Sequence, residues 1–245
     1  MAKYILLDTE TTGNTKEDRI IQLGYIVLGG ANIEVHNELF STDIPIKLEA
    51  MEVHNITPDM IENKQKIEDS QSYKRLLELN NEDNFIIIHN ASFDLGMLKK
   101  EGFENKMQLI DTLRCAKHLY PDIPYHRLQY LRYLFGLYNQ EQEEAKKLNV
   151  EIKAHDAIGD VLILKLLLTN IKKEVLNQFN GVDPVLKMVE LTKTPVLLKF
   201  MRFGKYQGKT FEEIKQVEKK YLSWLINNID DLDEDLRYTI EYWLK

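Results

Sequence analysis

The 245-residue sequence contains one cysteine and no apolar run that approaches the length of a membrane span. A lone cysteine, Cys115, excludes an internal disulfide, which fits a reducing compartment. Because a helix needs about 20 predominantly apolar residues to cross a bilayer, we expect no membrane segment. Residues 1–7 lack the pattern of a secretory signal peptide. The sequence therefore predicts a soluble protein of the cytoplasm, with no membrane partner.

The sequence also has little positive charge for a protein that handles nucleic acid. Its formal net charge is −7, which argues against a protein that coats nucleic acid, because Lys and Arg normally drive phosphate binding. Residues 195–245 hold nine basic and nine acidic residues, so residues 1–194 carry the whole negative excess. This distribution of charge is compatible with an enzyme that binds cations within residues 1–194.

Apolar periodicity indicates an α/β domain followed by a smaller segment. Runs near residues 3–8, 20–28 and 33–40 predict three strands, and two more strands near 85–88 and 107–110 alternate with helical patterns. This order predicts a mixed five-stranded sheet flanked by helices. We expect the α/β domain to span residues 1–175, with a helical connector over 176–194 and a small α-rich domain over 195–245.

Four carboxylates occupy positions where an unpaired negative charge is costly. Asp8 and Glu10 stand two residues apart at the end of the first strand, so both point to one face and repel each other. Asp94 is in line with a core-facing stripe, and Asp160 lies on an apolar helix face. A buried charge needs a partner, and hard oxygen ligands suit magnesium or manganese. We therefore expect these residues to bind divalent cations.

A histidine precedes the helix that carries Asp160. His155 lies in the preceding loop, from which its side chain can reach the site, and histidine titrates near neutral pH. We interpret His155 as a base that takes a proton from water, and Asp156 as the N-cap of the helix. Two divalent ions held by the acids could activate that water and stabilise the leaving oxygen in an attack on a phosphodiester.

The acids and the histidine fall in three motifs that resemble those of the DEDD family of 3′–5′ exonucleases, which includes the proofreading epsilon subunit of bacterial DNA polymerase III. The motifs are YILLDTETTG, HNASFDLGML and HDAIGD, in the order of the family. A histidine five residues before the last aspartate resembles the histidine subclass, DEDDh. The resemblance implies a ribonuclease H-like fold, two metal ions and a histidine general base. The implied ligands and base are Asp8, Glu10, Asp94, Asp160 and His155.

The resemblance also implies contacts with the end of the substrate. Thr11 and Thr12, in the turn after the first motif, would touch the terminal nucleotide. The segment VHNIT resembles a family segment whose histidine packs near the terminal base, which makes His54 a candidate. Asn55 replaces the usual glycine of that segment, and asparagine tolerates a positive φ better than most residues.

Two further positions resemble family elements. Asn90 belongs to the second motif and would position the substrate or Asp94. Asp111 followed by Thr112 resembles a recurring family element, and a helix start explains the same pair equally well.

The C-terminal segment FGKYQGKTFEEI resembles the small C-terminal domain of exonuclease X. A P-loop is excluded because the interval between Gly204 and Gly208 is one residue short. Lys205 and Lys209, with neighbouring aromatic residues, predict a surface that grips nucleic acid, and a solvated loop is the alternative.

The sequence therefore predicts a metal-dependent exonuclease that releases nucleoside monophosphates from the 3′ end of DNA. Two alternatives stay open: an exoribonuclease that trims RNA, and a proofreading or scaffold subunit of a polymerase. The complete set of acids argues against a scaffold without activity. Several members of the family are dimers, and the sequence does not decide between a monomer and a homodimer.

Overall fold

A mixed five-stranded sheet forms the centre of the part of the chain that the computed structural model describes, residues 1–150 and 156–245. The strand order is β3-β2-β1-β4-β5. β1 pairs antiparallel with β2 and parallel with β4, so the strand that carries the first motif is central. The predicted mixed five-stranded sheet is confirmed. The strands are β1 (Tyr4–Thr11), β2 (Ile20–Leu28), β3 (Glu34–Leu39), β4 (Phe85–Ile88) and β5 (Gln108–Asp111).

Helices cover both faces of the sheet, as the predicted fold class requires. Within the described ranges, short 3-10 turns at residues 67–69, 137–139 and 204–206 accompany the α-helices. The α-helices are α1 (Leu48–His54), α2 (Pro58–Ile61), α3 (Gln71–Leu79), α4 (Ala91–Lys100), α5 (Thr112–Leu119), α6 (Leu128–Leu134), α7 (Glu141–Leu148), α8 (Ala157–Gln178), α9 (Pro184–Lys193), α10 (Phe211–Asn228) and α11 (Glu234–Leu244). None of these helices is both long and apolar enough to cross a membrane.

Alternate residues of β1 enter two different cores. Leu6 packs with α5, α8 and α9 on one face, whereas Ile5 and Leu7 pack with α3 and α4 on the other. All three side chains are fully buried. Because both faces of β1 are covered, its sequence is a continuous apolar run up to Asp8.

The close approach of α8 to the sheet depends on Gly24 in β2. Gly24 pairs with Asp8 of β1, and a Cβ atom at Gly24 would lie 2.7 Å from backbone atoms of Ala157 and Ile158. The first turn of α8 therefore lies directly over the β1–β2 pair. This contact brings Asp160, one turn along α8, towards the end of β1.

The C-terminal segment has a small core of its own. Met201, Phe211, Leu222 and Ile240 belong to one buried cluster that contains only residues after 195. The carboxylate of Asp235 in α11 accepts hydrogen bonds from Arg114 and Val196. The segment is thus anchored on α5 by a buried ion pair. α8 continues through residue 175 to Gln178, and the predicted division into domains at that residue stays a prediction.

Candidate active site

Three of the predicted carboxylates converge at the end of β1. One oxygen from each of Asp8, Glu10 and Asp160 lies within 4.8 Å of the other two. β1 supplies the first two from one face of the strand, and the first turn of α8 supplies the third. All three side chains are half-buried, which leaves the group open to a ligand.

The fourth predicted acid, Asp94, adjoins this group without being part of it. It lies in the first turn of α4 and is buried. Its Oδ1 accepts hydrogen bonds from the backbone N and the hydroxyl of Thr9, at 3.1 and 2.7 Å. Thr9 lies between Asp8 and Glu10, so these bonds fix Asp94 directly against the catalytic strand.

The acids raise one another's pKa values. Burial, followed by the charges of Asp94, Asp160 and Glu10, raises the pKa of Asp8 well above its usual value. Burial and the neighbouring carboxylates also raise the pKa of Glu10 to about 9. Burial raises the pKa of Asp94 to about 7, although its hydrogen bonds to Thr9 act in the opposite direction. A bound cation would offset this concentration of negative charge and favour the ionised carboxylates.

Asp111 ties the helix of Asp94 to the rest of the site. Its carboxylate accepts hydrogen bonds from the backbone N–H groups of Asn90 and Ala91, each at 3.1 Å, at the start of α4. The same carboxylate caps α5 through Leu113 and Arg114. The helix start that Asp111 was expected to mark is present, but the cap on a second helix could not be inferred from local sequence. Asn90 itself is exposed and adopts a left-handed conformation with φ 73°.

His54 borders the end of β1 in a fixed orientation. Its Nδ1 accepts a hydrogen bond from the backbone N of Ile56 at 2.9 Å, so Nε2 carries the proton and donates to the carbonyl of Thr11 at 3.1 Å. Burial lowers the pKa of His54, which keeps the ring neutral. Asn55 has φ 59°, as predicted for a residue in the position of a glycine.

A cavity of about 510 Å³ lies between His54 and the acids. Glu10, Thr11, Val53 and Phe93 are among its lining residues, so an acidic edge meets an apolar wall. Thr11 lines this cavity, whereas Thr12 is fully buried and donates its hydroxyl proton to Asp18 at 3.0 Å. Of the two predicted threonine contacts, the structure therefore places only Thr11 on the cavity.

Gln129 contacts the group of carboxylates, although the sequence did not indicate it. Its Nε2 donates a hydrogen bond to Oδ1 of Asp160 at 2.8 Å. Arg132 in turn donates to Oε1 of Gln129 at 3.2 Å and pairs with the buried Glu141. The 31-residue separation of Gln129 and Asp160 in the sequence left no local signal for this contact.

Asp156 stands at the N-cap position of α8, as predicted, but its side chain does not cap the helix. Instead, its carboxylate accepts a hydrogen bond from Nε2 of Gln22 in β2. The interpretation of Asp156 as a capping side chain was therefore wrong, because a partner from the sheet competes for the carboxylate. His155, the predicted base, lies outside the described residues.

Lys205 and Lys209 are exposed in the C-terminal segment. Lys205 pairs with Glu218 at 2.6 Å and Lys209 lies 3.8 Å from Glu213. Much of the positive charge of each lysine is thus compensated within the segment itself.

Comparison with known families agrees with this site. The Exonuclease (RNase_T) family matches residues 5–168, which contain all four acids. The chain belongs to the Exonuclease family. Residues 201–230 match a second family, described as Exodeoxyribonuclease X-like C-terminal. The chain is therefore an exonuclease, a hydrolase, with an additional C-terminal module.

One relative is similar to this exonuclease over nearly its whole length, and a second is similar over a part of it. Exodeoxyribonuclease 10 of Escherichia coli (strain K12) is 29% identical over 245 residues, covering 98% of both chains. DNA polymerase III PolC-type of Bacillus cereus is 30% identical over 183 residues, which are 71% of this chain but only 12% of the polymerase. The similarity to the polymerase is therefore confined to a small part of that protein.

Solved structures have the same fold. Exonuclease X in complex with 5′ overhanging duplex DNA has a TM-score of 0.55 and 26% identity, covering 77% of this chain and 99% of that chain. E. coli exonuclease I in complex with an oligonucleotide has a TM-score of 0.54 and 19% identity, covering 74% and 43% of the two chains. The ribonuclease H-like architecture predicted from the sequence is confirmed.

Divalent metal ions are the usual cofactors of this exonuclease family, and the three-carboxylate group fits such an ion. Its donors are hard oxygens, they are half-buried, and the neighbouring carboxylates repel one another, which raises the pKa of Asp8. A divalent cation would relieve this repulsion.

Proposed function

We propose that the protein is an exodeoxyribonuclease that hydrolyses phosphodiester bonds from the 3′ end of DNA and releases nucleoside monophosphates. The convergence of Asp8, Glu10 and Asp160 within 4.8 Å, beside Asp94, carries this proposal. The full-length similarity to an exodeoxyribonuclease, and the likeness to an exonuclease solved with duplex DNA, support DNA over RNA as the substrate.

Two divalent ions, Mg²⁺ or Mn²⁺, are the proposed cofactors, held by Asp8, Glu10, Asp94 and Asp160. When bound, such ions lower the pKa of water and stabilise charge on a phosphate that is being displaced. Thr9 holds Asp94 through two hydrogen bonds, and Gln129 holds one oxygen of Asp160. These contacts keep Asp94 and Asp160 in place.

The cavity beside the acids is the proposed site of the terminal nucleotide. Val53 and Phe93 provide an apolar wall for a base, while Thr11 and the neutral His54 border the same space. Asn90, exposed at the start of α4, is a further proposed contact of the substrate. His155 is proposed to accept the proton of the attacking water.

We assign the C-terminal residues 195–245 the role of additional substrate grip, with Lys205 and Lys209 as contacts. The balance of nine basic and nine acidic residues makes this segment less repulsive to phosphate than residues 1–194. The proposed location is the cytoplasm, where the single buried cysteine stays reduced. A polymerase partner is the alternative that the absence of cleavage in the test below would favour. A homodimer is the alternative to a monomer, and its test is the oligomeric state in solution.

The test is digestion of matched DNA and RNA strands, each labelled at its 5′ end, with Mg²⁺ or with Mn²⁺. A ladder that shortens from the 3′ end of the DNA is expected, and an Asp8→Asn variant should give none. Cleavage of the RNA strand alone would reassign the protein to RNA trimming. No cleavage of either strand would contradict the proposal and direct attention to a polymerase complex.

A further inference from the structure

Exposed tyrosines and arginines cluster on α6 and on the loops at its two ends. Tyr125, Tyr133 and Tyr138 are 52%, 62% and 47% exposed. Arg127 stacks over the ring of Tyr125, with its guanidinium carbon 5.2 Å from the ring centre, and Tyr133 contacts Tyr138. We refer to Tyr125, Arg127, Tyr133 and Tyr138 as the Tyr–Arg surface.

The Tyr–Arg surface continues directly from the catalytic carboxylates. Gln129 and Tyr133 are four residues apart on α6, so they share one face of the helix. The opposite face carries Leu131, which is fully buried in the core. Since Gln129 donates a hydrogen bond to Asp160 at 2.8 Å, Tyr133 lies one helical turn from a residue that contacts the site.

Arg127 gives the surface one positive charge, although the formal charge of the whole chain is −7. Arg127 is exposed and forms no ion pair with the described residues. Two acids in the same part of the chain are paired, Glu141 with Arg132 and Asp122 with Lys199. His126, between Tyr125 and Arg127 in the sequence, is 3.5 Å from the guanidinium of Arg202. A second arginine, from the C-terminal segment, therefore lies near this end of the surface.

We propose that the Tyr–Arg surface binds the single-stranded nucleotides that precede the terminal nucleotide of the substrate. Flat exposed rings beside arginines are the chemistry that binds bases by stacking and phosphates by charge, without dependence on sequence. Tyr133 lies one helical turn from a residue that contacts Asp160, and Arg127 adds a positive charge beside the ring of Tyr125, which favours this occupant. The inference rests on the proposed function, because it presumes a nucleic-acid strand in the site.

The test compares a dinucleotide with a single strand of about twelve nucleotides, a length within the usual range of single-strand sites. Replacing both Tyr125 and Tyr133 with alanine should raise KM for the long strand about 25-fold or more, because each lost stack weakens binding about fivefold or more. The ratio of the two KM values should therefore rise. Leu186→Ala, which removes a similarly exposed apolar side chain from α9, outside residues 195–245, is the control and should leave this ratio unchanged.

The contribution of the Arg127 charge can be measured separately, through the dependence of KM on salt concentration. Arg127→Ala should reduce the slope of log KM for the long strand against log salt concentration by about 0.7, the value for one phosphate contact on a single strand. Thermal unfolding of each variant, compared with the wild type, establishes that the fold is retained.

Three results would overturn the inference. They are an unchanged KM ratio in the double tyrosine variant, an equal rise for both substrates, and a change of oligomeric state in place of substrate affinity. The last result would make the surface an interface between two copies of the chain. Failure of the proposed function is distinguishable, because the wild-type protein itself would then degrade neither strand.

Discussion

Two buried acidic regions lie within a few residues of each other, and they have opposite electrostatics. Asp18 is buried, which acts to raise its pKa, but hydrogen bonds from Lys47, Thr15 and Thr12 lower the pKa well below its usual value. Asp8 is surrounded by other carboxylates, and its pKa is raised.

Both residues are aspartates, and the opposite shifts of their pKa values follow from their partners. Lys47 lies 2.6 Å from the carboxylate of Asp18, and the backbone N of Thr15 donates a hydrogen bond of 2.6 Å. Around Asp18 the chain supplies the compensating charge, so the acid stabilises the fold. Around Asp8 the chain supplies more negative charge, and the site stays incomplete without a cation. Comparing partners separates a structural acid from a functional one.

The largest expected effect is the loss of activity in Asp8→Asn, by about a thousandfold or more, since removing a group that acts on the reacting atoms costs that much. In metal-free protein the same variant should be more stable than the wild type, because it removes one charge from a repelling cluster. Activity on labelled DNA and thermal unfolding in the presence of a chelator measure the two effects. A stability loss in the metal-free variant would contradict the repulsion inferred at this site.

Asp18→Ala should have the opposite effect on stability and should destabilise the protein. Removing this carboxylate leaves Lys47, the backbone N–H of Thr15 and the buried hydroxyl of Thr12 without this acceptor, so the free energy of unfolding should fall by about 3 kcal/mol. Because the pKa of Asp18 is lower in the folded protein than its usual value of 3.8, its stabilisation is present above pH 3.8 and declines as the pH falls below that value. Denaturant unfolding at neutral and acidic pH measures both. Equal losses at pH 7 and pH 2 would refute the ionised state of Asp18.

Metal binding should stabilise the protein through the region of Asp8 and Glu10 and not through the region of Asp18. A divalent cation at about one hundred times its Kd should stabilise the wild type by about 2.7 kcal/mol. Glu10→Gln should lose most of this gain, whereas Asp18→Asn should keep it even though its starting stability is lower. Thermal unfolding with and without Mn²⁺ measures the gain, and an equal reduction in both variants would argue against separate roles.

The smallest expected effect concerns Gln129, which holds Asp160 without being an acid. Gln129→Ala should lower metal affinity or kcat about tenfold, as is usual when a partner of a metal ligand is removed. A shift in the metal concentration that gives half-maximal activity would identify a positioning role, and general destabilisation would not produce that shift alone. The exposed Gln140, replaced by alanine, is the matched control.

The strands and the acids were accessible from sequence because their signals are local. The apolar run that ends at Asp8, and the two-residue spacing to Glu10, are visible without any knowledge of the fold. The predicted strand at 107–110 is observed at Gln108–Asp111, and the strand predicted near 20–28 has those same bounds. The observed bounds of these elements therefore agree with the predicted bounds to within one residue.

Elements that depend on distant partners were missed or misread. α7 was not predicted, because its sequence is mostly charged and only Glu141, Ala145 and Leu148 are buried. α8 runs to Gln178, across the position where the α/β domain was expected to end, since Val175 still packs in the core. Neither the bond from Gln129 to Asp160 nor that from Gln22 to Asp156 has a local signature, because each joins elements far apart in the chain.

The absence of a side chain at Gly24 has a consequence for the genetics of this enzyme. Position 24 faces Asp8 across the β1–β2 pair and lies under the first turn of α8, where even one methyl group would meet backbone atoms at 2.7 Å. An alanine there would displace the start of α8 and separate Asp160 from its partners, without altering any acid. Loss-of-function screens should therefore recover codon 24 together with the codons of the acids, although the residue it encodes has no functional group.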